Sequence, residues 1–252
     1  MCFDLDSSPP VSRVAGASVE HSHLGLISED GTEFGAFHAI GPGAGPAVVI
    51  LPDVRGLYRF YEELALRFAE HGYDAVAIDY FGRTAGIGRR DDEFDFMPHV
   101  EQTTVDGVRQ DTAAAVAHVR GGDPDRKVFT VGFCFGGSNS WSQAASGHGL
   151  SGAVGFYGHP VRSGVPQGAP AVVDRVEEIE CPILGLMGGA DPGIPNEATE
   201  RFRETLTRTG IEHEIIVYEG APHSFFDRKS AEFADASADA WERVLAFLAS
   251  HG

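Results

Sequence analysis

Three side chains of the kinds used in nucleophilic catalysis each follow a short apolar run along the chain. Cys134 lies in the stretch "VGFCFGG", Asp191 follows "ILGLMGGA", and His223 follows "IIVYEGAP". A thiol ionises more easily than a hydroxyl, so a histidine can hold a cysteine as a thiolate or draw its proton during attack. A carboxylate bound to the other ring nitrogen fixes the tautomer of that histidine. The pattern therefore predicts a catalytic triad of Cys134, His223 and Asp191.

The residues around the cysteine suit a tight turn between a strand and a helix. Gly132 and Gly136 stand two positions to either side of Cys134. A nucleophile on such a turn adopts a strained backbone conformation, and side chains at the flanking positions would clash with the strand or the helix. A helix that starts after Phe135 would direct its free N–H groups and its dipole at the sulfur. Those groups stabilise a thiolate and a developing oxyanion.

Other roles for this cysteine fit the sequence less well. The chain has three widely spaced cysteines, Cys2, Cys134 and Cys181, and no CxxC pair, which disfavours a disulfide framework and a zinc site. We therefore expect a free Cys134 thiol. Asp227, four residues after the histidine, is a competing acid for the triad. We favour Asp191 because its strand should lie between the strands that carry the cysteine and the histidine.

The segments that must position these residues alternate between buried strands and amphipathic helices. Apolar residues spaced three and four apart predict helices around residues 61–69, 105–119 and 234–248. This alternation predicts an α/β fold, with a mostly parallel sheet covered by helices on both faces, in one domain over residues 1–252. The predicted strands are 47–51, 75–78, 128–132, 153–156, 183–187 and 215–218, and residues 22–40 should form a β-hairpin that turns at 29–31 and pairs antiparallel at the sheet edge.

Two segments do not fit this alternation. Residues 82–100 have mixed charge and little periodicity, and residues 158–179 form a connection rich in Pro and Gly. Long irregular excursions in compact domains are usually functional or mobile. We expect residues 82–100 to border the mouth of the substrate pocket.

With these residues assembled, the sequence resembles the dienelactone hydrolase family, the cysteine branch of the α/β-hydrolases. The shared motifs are "GFCFGG" at the nucleophile, "FYG" at 156–158, "GGADPGIP" at 188–195 and "APHSF" at 221–225. Nucleophile, acid and histidine also follow the chain order of α/β-hydrolases. The resemblance implies an α/β-hydrolase fold and hydrolysis of a small ester or lactone through an acyl-cysteine intermediate. It implies no metal and no organic cofactor.

The resemblance also implies roles for residues near the nucleophile. The backbone N–H groups of Val54 and Phe135 would form the oxyanion hole. Val54 follows the strand in "VVILPDVRG", which is where the second donor of such a fold is expected. The family has a glutamate on that loop that holds the cysteine neutral at rest. Asp53 stands at the matching position and is one methylene shorter.

Substrate contacts are implied at a further set of positions. The family binds a substrate carboxylate through an arginine that Arg83 matches, and through residues just past the histidine. A second family arginine has Asp227 at its position, so dienelactone itself is a weaker prediction than ester hydrolysis. The residues that we expect to face the substrate are Arg83, Tyr157, Ser224 and Arg55.

Composition limits the partners and the location. Nineteen basic and 37 acidic side chains give a formal charge of −18, which repels phosphate backbones and anionic lipid. We therefore expect a small-molecule substrate and neither nucleic acid nor a membrane as partner. The sparse cysteines and the acidic, Pro-containing N-terminus predict a cytoplasmic protein without a signal peptide. We expect a monomer or a small homo-oligomer.

Two other functions are compatible with the same triad. A non-catalytic or redox-sensing binding protein could use the pocket, because a cysteine on such a turn can be oxidised reversibly. An acyltransferase could pass the acyl group to an alcohol or an amine instead of water. The sequence does not separate these from a hydrolase.

Overall fold

A single sheet forms the centre of the molecule. The computed structural model describes residues 8–43, 45–88, 90 and 93–252, so Cys2 lies outside the described residues. The strands are β1 (Glu20–Ile27), β2 (Glu33–Ile40), β3 (Ala47–Leu51), β4 (Asp74–Ile78), β5 (Val128–Phe133), β6 (Gly152–Phe156), β7 (Ile183–Gly188) and β8 (His213–Tyr218). They pair in the order β1-β2-β4-β3-β5-β6-β7-β8.

The sheet is mostly parallel, as predicted. Strands β3 to β8 all pair in parallel, whereas β1 and β2 form an antiparallel hairpin that joins the sheet through β2 and β4. Every residue of β3 to β7 is buried. Successive side chains of a strand point to opposite faces of the sheet, so a strand that is buried at every residue has both faces covered. This explains why these segments are continuous apolar runs in the sequence. The predicted α/β fold and the edge hairpin are confirmed.

Helices cover the sheet and carry the connections between strands. They are α1 (Arg59–Glu70), α2 (Gly82–Ala85), α3 (Met97–Gln102), α4 (Val105–Arg120), α5 (Phe135–Gln143), α6 (Asn196–Thr209) and α7 (Ala234–His251), with a 3₁₀ helix at Val172–Glu178. None of the helices in the described part of the chain is both long enough and apolar enough to span a bilayer.

Helix α6 was not predicted from the sequence, and neither were the short helices α2 and α3 or the 3₁₀ helix. Helix α6 buries Phe202 and Leu206 almost completely, and its other buried residues are small or polar. Two large apolar residues four apart are too few to make a clear helical pattern over 14 residues. The helix forms because tertiary packing covers this short apolar stripe.

The strand order decides which residues can meet. Strands β5, β7 and β8 are parallel, so their carboxyl ends lie at the same edge of the sheet, and β7 lies between the other two. Cys134 directly follows β5, Asp191 follows β7 and His223 follows β8. The predicted position of the acid-bearing strand is confirmed.

Candidate active site

The turn that carries Cys134 is tight, and its backbone is strained. Cys134 has φ 56° and ψ −113°, which a residue with a side chain rarely adopts. A Cβ atom on Gly132 would lie 1.9 Å from the carbonyl oxygen of Gly136, and one on Gly136 would lie 1.9 Å from that of Leu51. Both glycines are therefore steric requirements of this turn, as the sequence suggested.

Helix α5 begins directly after the cysteine. The Cys134 N–H donates to the carbonyl of Phe156 at 2.9 Å, and its carbonyl accepts from the N–H of Gly137 at 3.0 Å. Among the hydrogen bonds of the described residues, none uses the N–H of Phe135 or Val54 as donor. Two backbone donors near the sulfur are thus available to a ligand, next to the positive end of a helix dipole.

His223 and Asp191 form a direct hydrogen bond. The ring Nδ1 of His223 lies 2.5 Å from Oδ2 of Asp191, whose side chain is 1% exposed. The other carboxylate oxygen accepts from the N–H of Gly193 at 2.8 Å. With Nδ1–H donated to the carboxylate, Nε2 of the imidazole is left to exchange a proton with a neighbouring group. The ring also packs against Tyr157, with 4.8 Å between the ring centroids.

A pocket of about 390 Å³ opens beside these groups. Seven of the predicted site residues line it: Val54, Cys134, Phe135, Tyr157, Asp191, His223 and Ser224. Three of them, Cys134, Tyr157 and Ser224, are also the non-glycine residues with positive φ in the described chain. Strained backbone conformations cluster at active sites, where surrounding structure holds them. The remaining lining residues are Ser138, His159, Arg162, Val165, Pro192, Gly193, Ile194 and Arg228.

Neither Asp53 nor Arg55, for which a substrate contact was predicted, is among the residues that line this pocket. Asp53 is fully buried, and its Oδ1 accepts from the N–H of Arg55 at 2.8 Å. The hydroxyl of Tyr80 donates to the carbonyl of Pro52, the residue before Asp53, at 3.0 Å, and its ring packs against that of Phe135, the residue after Cys134, with 5.3 Å between centroids. Burial raises the pKa of the Tyr80 phenol, and the charges of Asp53, Asp79 and Cys134 raise it further. The guanidinium of Arg55 lies 5.8 Å from the ring centroid of Tyr58.

Arg83 does not reach the pocket, contrary to its predicted role as a substrate contact. Its guanidinium binds Asp111 at 2.8 Å and also pairs with Asp30. Asp111 is buried and accepts in addition from Ser28. A buried carboxylate needs a paired cation, because an uncompensated charge away from water is costly. Arg83 therefore ties the β1–β2 hairpin to helix α4.

The described residues of 82–100 also lie away from the pocket. Arg90 pairs with the buried Asp79 at 2.6 Å, and Phe94 stacks on His99 with 4.9 Å between centroids. Ile87 borders a separate cavity of about 160 Å³. The expectation that this segment borders the pocket mouth is not met by its described residues; residues 89 and 91–92 lie outside the description.

The other irregular segment, 158–179, supplies pocket residues that the sequence reasoning missed. His159, Arg162 and Val165 come from it, and Arg228 comes from the turn after the histidine. One signal could have found them. The segment follows β6, whose carboxyl end lies at the same sheet edge as those of β5 and β7.

Asp227 is not the partner of the histidine. It is 2% exposed, and its Oδ2 accepts from the hydroxyl of Tyr157 at 2.5 Å, while Oδ1 accepts from the N–H of Arg228. Burial raises the pKa of Asp227 to about 8, against the lowering effect of these hydrogen bonds. The chain thus has a buried carboxyl group where the resemblance implied an arginine.

Comparison with known proteins agrees with this geometry. The sequence profile of the dienelactone hydrolase family matches residues 34–252. A "putative carboxymethylenebutenolidase" of Salmonella typhimurium is 31% identical over 237 residues, covering 90% of this chain and 86% of the relative. A protein of the same description from Escherichia coli strain K12 is 30% identical with the same coverage. A crystal structure titled "putative dienelactone hydrolase", from Klebsiella pneumoniae, superposes with a TM-score of 0.81 at 27% identity, over 92% of this chain and 99% of the other.

Proposed function

Since the chain belongs to the dienelactone hydrolase family, we propose that it hydrolyses a small ester or lactone with a triad of Cys134, His223 and Asp191. The observation that carries the proposal is the 2.5 Å bond between His223 and Asp191 in the pocket that Cys134 also lines. A histidine oriented by a buried carboxylate beside a nucleophile on a strained turn is the arrangement that acyl transfer needs.

In the acylation step, the sulfur of Cys134 attacks the carbonyl carbon of the ester while His223 takes the thiol proton. The tetrahedral oxyanion lies between the N–H groups of Val54 and Phe135, which have no other acceptor among the described hydrogen bonds. When the C–O bond breaks, the protonated imidazole gives its proton to the leaving alkoxide. The products of this step are an alcohol and an acyl-cysteine thioester. For a lactone, the alcohol stays attached to the acyl group.

In the deacylation step, water takes the place of the leaving group. Nε2 of His223 accepts a proton from the water as its oxygen attacks the thioester carbon. The C–S bond then breaks, the thiolate regains the proton from the imidazole, and a carboxylic acid leaves. Asp191 stays hydrogen-bonded to Nδ1 and stabilises the imidazolium that forms in each step. None of these reaction steps uses a metal or an organic cofactor.

Asp53 fits the role of the acid that modulates the nucleophile. The loop of Asp53 and the turn of Cys134 meet at Tyr80, which donates to the carbonyl of Pro52 and packs against the ring of Phe135, and this supports a role for Asp53 near the sulfur. In general, a carboxylate beside a thiol opposes formation of the thiolate, and this is the effect proposed for Asp53. Tyr157 and Ser224, which line the pocket, are the proposed substrate contacts.

The test is a comparison of two cysteine variants. We expect Cys134→Ala to lower kcat/KM for p-nitrophenyl acetate by roughly 10³-fold or more, since loss of a nucleophile removes the covalent route. Cys181→Ala is the matched control, because that thiol is 6% exposed and burial raises its pKa to about 12, so it cannot attack a substrate. Circular dichroism checks that both variants fold.

A second readout separates hydrolysis from the sensor alternative. Rapid mixing of the wild type with the same ester should release a burst of p-nitrophenol, and mass spectrometry should find an acetyl group on Cys134. Full activity in Cys134→Ala would reject the assignment. A wild type with neither burst nor turnover would favour the non-catalytic reading.

A further inference from the structure

Asp227 is a buried acid that takes no part in the proposed reaction steps. It is 2% exposed, and its Oδ2 accepts a hydrogen bond from the hydroxyl of Tyr157 at 2.5 Å. The ring of Tyr157 packs against the imidazole of His223, with 4.8 Å between the ring centroids. A single side chain therefore connects the buried acid to the proposed general base.

The same acid also belongs to the turn that begins at His223. The N–H of Asp227 donates to the carbonyl of Ser224 at 3.2 Å, and the N–H of Lys229 donates to the same carbonyl at 3.0 Å. Oδ1 of Asp227 accepts from the N–H of Arg228. Ser224 has φ 63°, which a residue with a side chain keeps only where its surroundings hold it. The backbone and the side chain of the acid thus both fix this turn.

The surroundings of Asp227 favour its neutral form. Burial raises the pKa of this carboxyl group to about 8, because an ionised carboxylate loses its hydration there. The hydrogen bonds from the Tyr157 hydroxyl and the Arg228 N–H lower the pKa. The charge of Asp53, on the loop after β3, raises it, and a protonated His223 lowers it. The group is therefore mostly neutral at pH 7 and mostly ionised at pH 9.

Ionisation of this group works against the reaction in two ways. A carboxylate that is cut off from water is costly, so the ionised acid favours a rearrangement of the turn that would hydrate it. A negative charge at a buried position also opposes the negative charge that develops on the oxyanion of the substrate. Both effects slow the attack on the ester.

We propose that Asp227 is a positioning residue of the hydrolase: its neutral carboxyl group holds Tyr157 against His223, and its ionisation slows the acylation of Cys134. The inference rests on the proposed hydrolase function. It predicts a fall in activity at alkaline pH. The two reacting groups would give the opposite trend, because loss of the thiol proton forms the nucleophile and loss of the imidazolium proton forms the base.

The experiment is a pH profile of kcat/KM for p-nitrophenyl acetate between pH 6 and pH 10, corrected for hydrolysis by the buffer. The readout is the ratio of the value at pH 9.5 to that at pH 8 within each protein. We expect the wild-type ratio to be about 0.1, as for the loss of one essential proton. In Asp227→Asn we expect a ratio of about 1, because the amide does not ionise and its oxygen can still accept from Tyr157.

Tyr157→Phe separates positioning from a merely structural role. Its loss removes a hydrogen bond that stabilises the ionised carboxylate, so the pKa of Asp227 rises. We expect the alkaline fall in activity to move up by about one pH unit, which corresponds to one hydrogen bond. A purely structural role would lower activity at every pH and leave the fall where it is in the wild type.

Asp239→Asn is the matched control. Oδ2 of Asp239 accepts from the hydroxyl of Tyr218 at 2.8 Å, so the same substitution is made in the same kind of pair, outside the pocket lining. We expect it to keep the wild-type ratio. Circular dichroism at pH 9.5 and recovery of activity on return to pH 8 check that the fall is not unfolding. An equal alkaline fall in the wild type and in Asp227→Asn would overturn the proposal.

Failure of the hydrolase function gives a different result, because the wild type then cleaves the ester no faster than Cys134→Ala does. The connection is in that case measured by NMR titration of the ring protons of His223, assigned with His223→Asn. Charge interactions are reciprocal, so ionisation of Asp227 should shift these resonances near pH 8. A step that is present in the wild type and absent in Asp227→Asn supports the proposal, and equal titrations in both proteins reject it.

Discussion

At the scale of single residues, Asp227 shows how one buried acid supports a pocket. Its Oδ2 accepts a hydrogen bond from the hydroxyl of Tyr157 at 2.5 Å. Tyr157 in turn packs against the ring of His223. Burial favours the neutral carboxyl group, because an ionised carboxylate loses its hydration there. The acid is therefore a structural support for two pocket residues.

The raised pKa of Asp227 predicts a pH-dependent stability. The pKa is about 8 in the folded protein and 3.8 for an ordinary aspartate, so the folded state holds a proton that the unfolded state has released. The stability that this group contributes is present below pH 4 and is lost as the pH rises to 8. We expect Asp227→Asn, which has no charge to bury, to gain about 4 kcal/mol of stability relative to the wild type when the pH is raised from 5 to 8.5.

Guanidinium chloride unfolding of both proteins at the two pH values measures this difference. Any hydrogen bond that the asparagine fails to make destabilises the variant by a similar amount at each pH. That loss therefore cancels when the two pH values are compared. A stability difference that is the same at pH 5 and pH 8.5 would contradict a neutral, buried Asp227.

At the scale of elements, the close approach of helix α5 to three strands builds the nucleophile turn. At two positions on this helix a Cβ atom would collide with strand backbone. One on Gly136 would meet the carbonyl of Leu51 at the end of β3, and one on Gly137 would lie 2.5 Å from the carbonyl oxygen of Phe156 in β6. Gly132 makes the corresponding approach from β5. Because backbone atoms on these strands cannot move independently, the helix start is held against the sheet.

Gly136→Ala tests this close packing. The new methyl group would lie 1.9 Å from a carbonyl oxygen of the strand, so the helix must shift. We expect a loss of about 3 kcal/mol or more in the free energy of unfolding, together with loss of esterase activity. Urea unfolding at constant pH measures the first quantity.

Gly35→Ala in β2 is the control, because the nearest atom to its added methyl group is 3.9 Å away and its φ is ordinary. A change below about 1 kcal/mol is expected there, since alanine is favoured over glycine inside a strand. Equal losses in the two variants would mean that glycine at position 136 has no special steric role.

At the scale of the whole molecule, the excess of acidic side chains is the dominant electrostatic feature. The chain carries a formal charge of −18. Compaction brings these like charges closer together than they are in the unfolded chain, which lowers stability. Ion pairs such as those of Arg126 with Asp74 and Arg90 with Asp79 offset part of this repulsion in the interior. The cytoplasmic location and the monomeric or small homo-oligomeric state stay predictions.

Salt should therefore stabilise the protein. Raising NaCl from 20 mM to 500 mM shortens the Debye length from about 20 Å to about 4 Å, which screens repulsion between exposed carboxylates more than it weakens buried pairs. We expect the Tm to rise by a few degrees, as measured by calorimetry at pH 7.5. A Tm that falls with added salt would show that exposed ion pairs outweigh the net repulsion.

The sequence by itself determined the strands, three of the longer helices and the nucleophile turn. Short apolar runs located the strands, and glycines two positions either side of Cys134 indicated the turn, because both signals depend on neighbours a few residues apart. The cysteine, the acid and the histidine each follow a strand, and parallel strands end at one edge of the sheet. This order was enough to predict that Asp191 lies beside His223.

Only the tertiary structure decided which charged groups face the pocket. Arg83 was expected there, but Asp111, which is 28 positions away, pairs with it on another side of the molecule. Arg162 came from a segment with no periodic pattern, and its position depends on the contact between His159 and Ser138. Whether a long charged side chain is paired or available depends on which distant residues packing brings near it. Local spacing along a chain carries no such information.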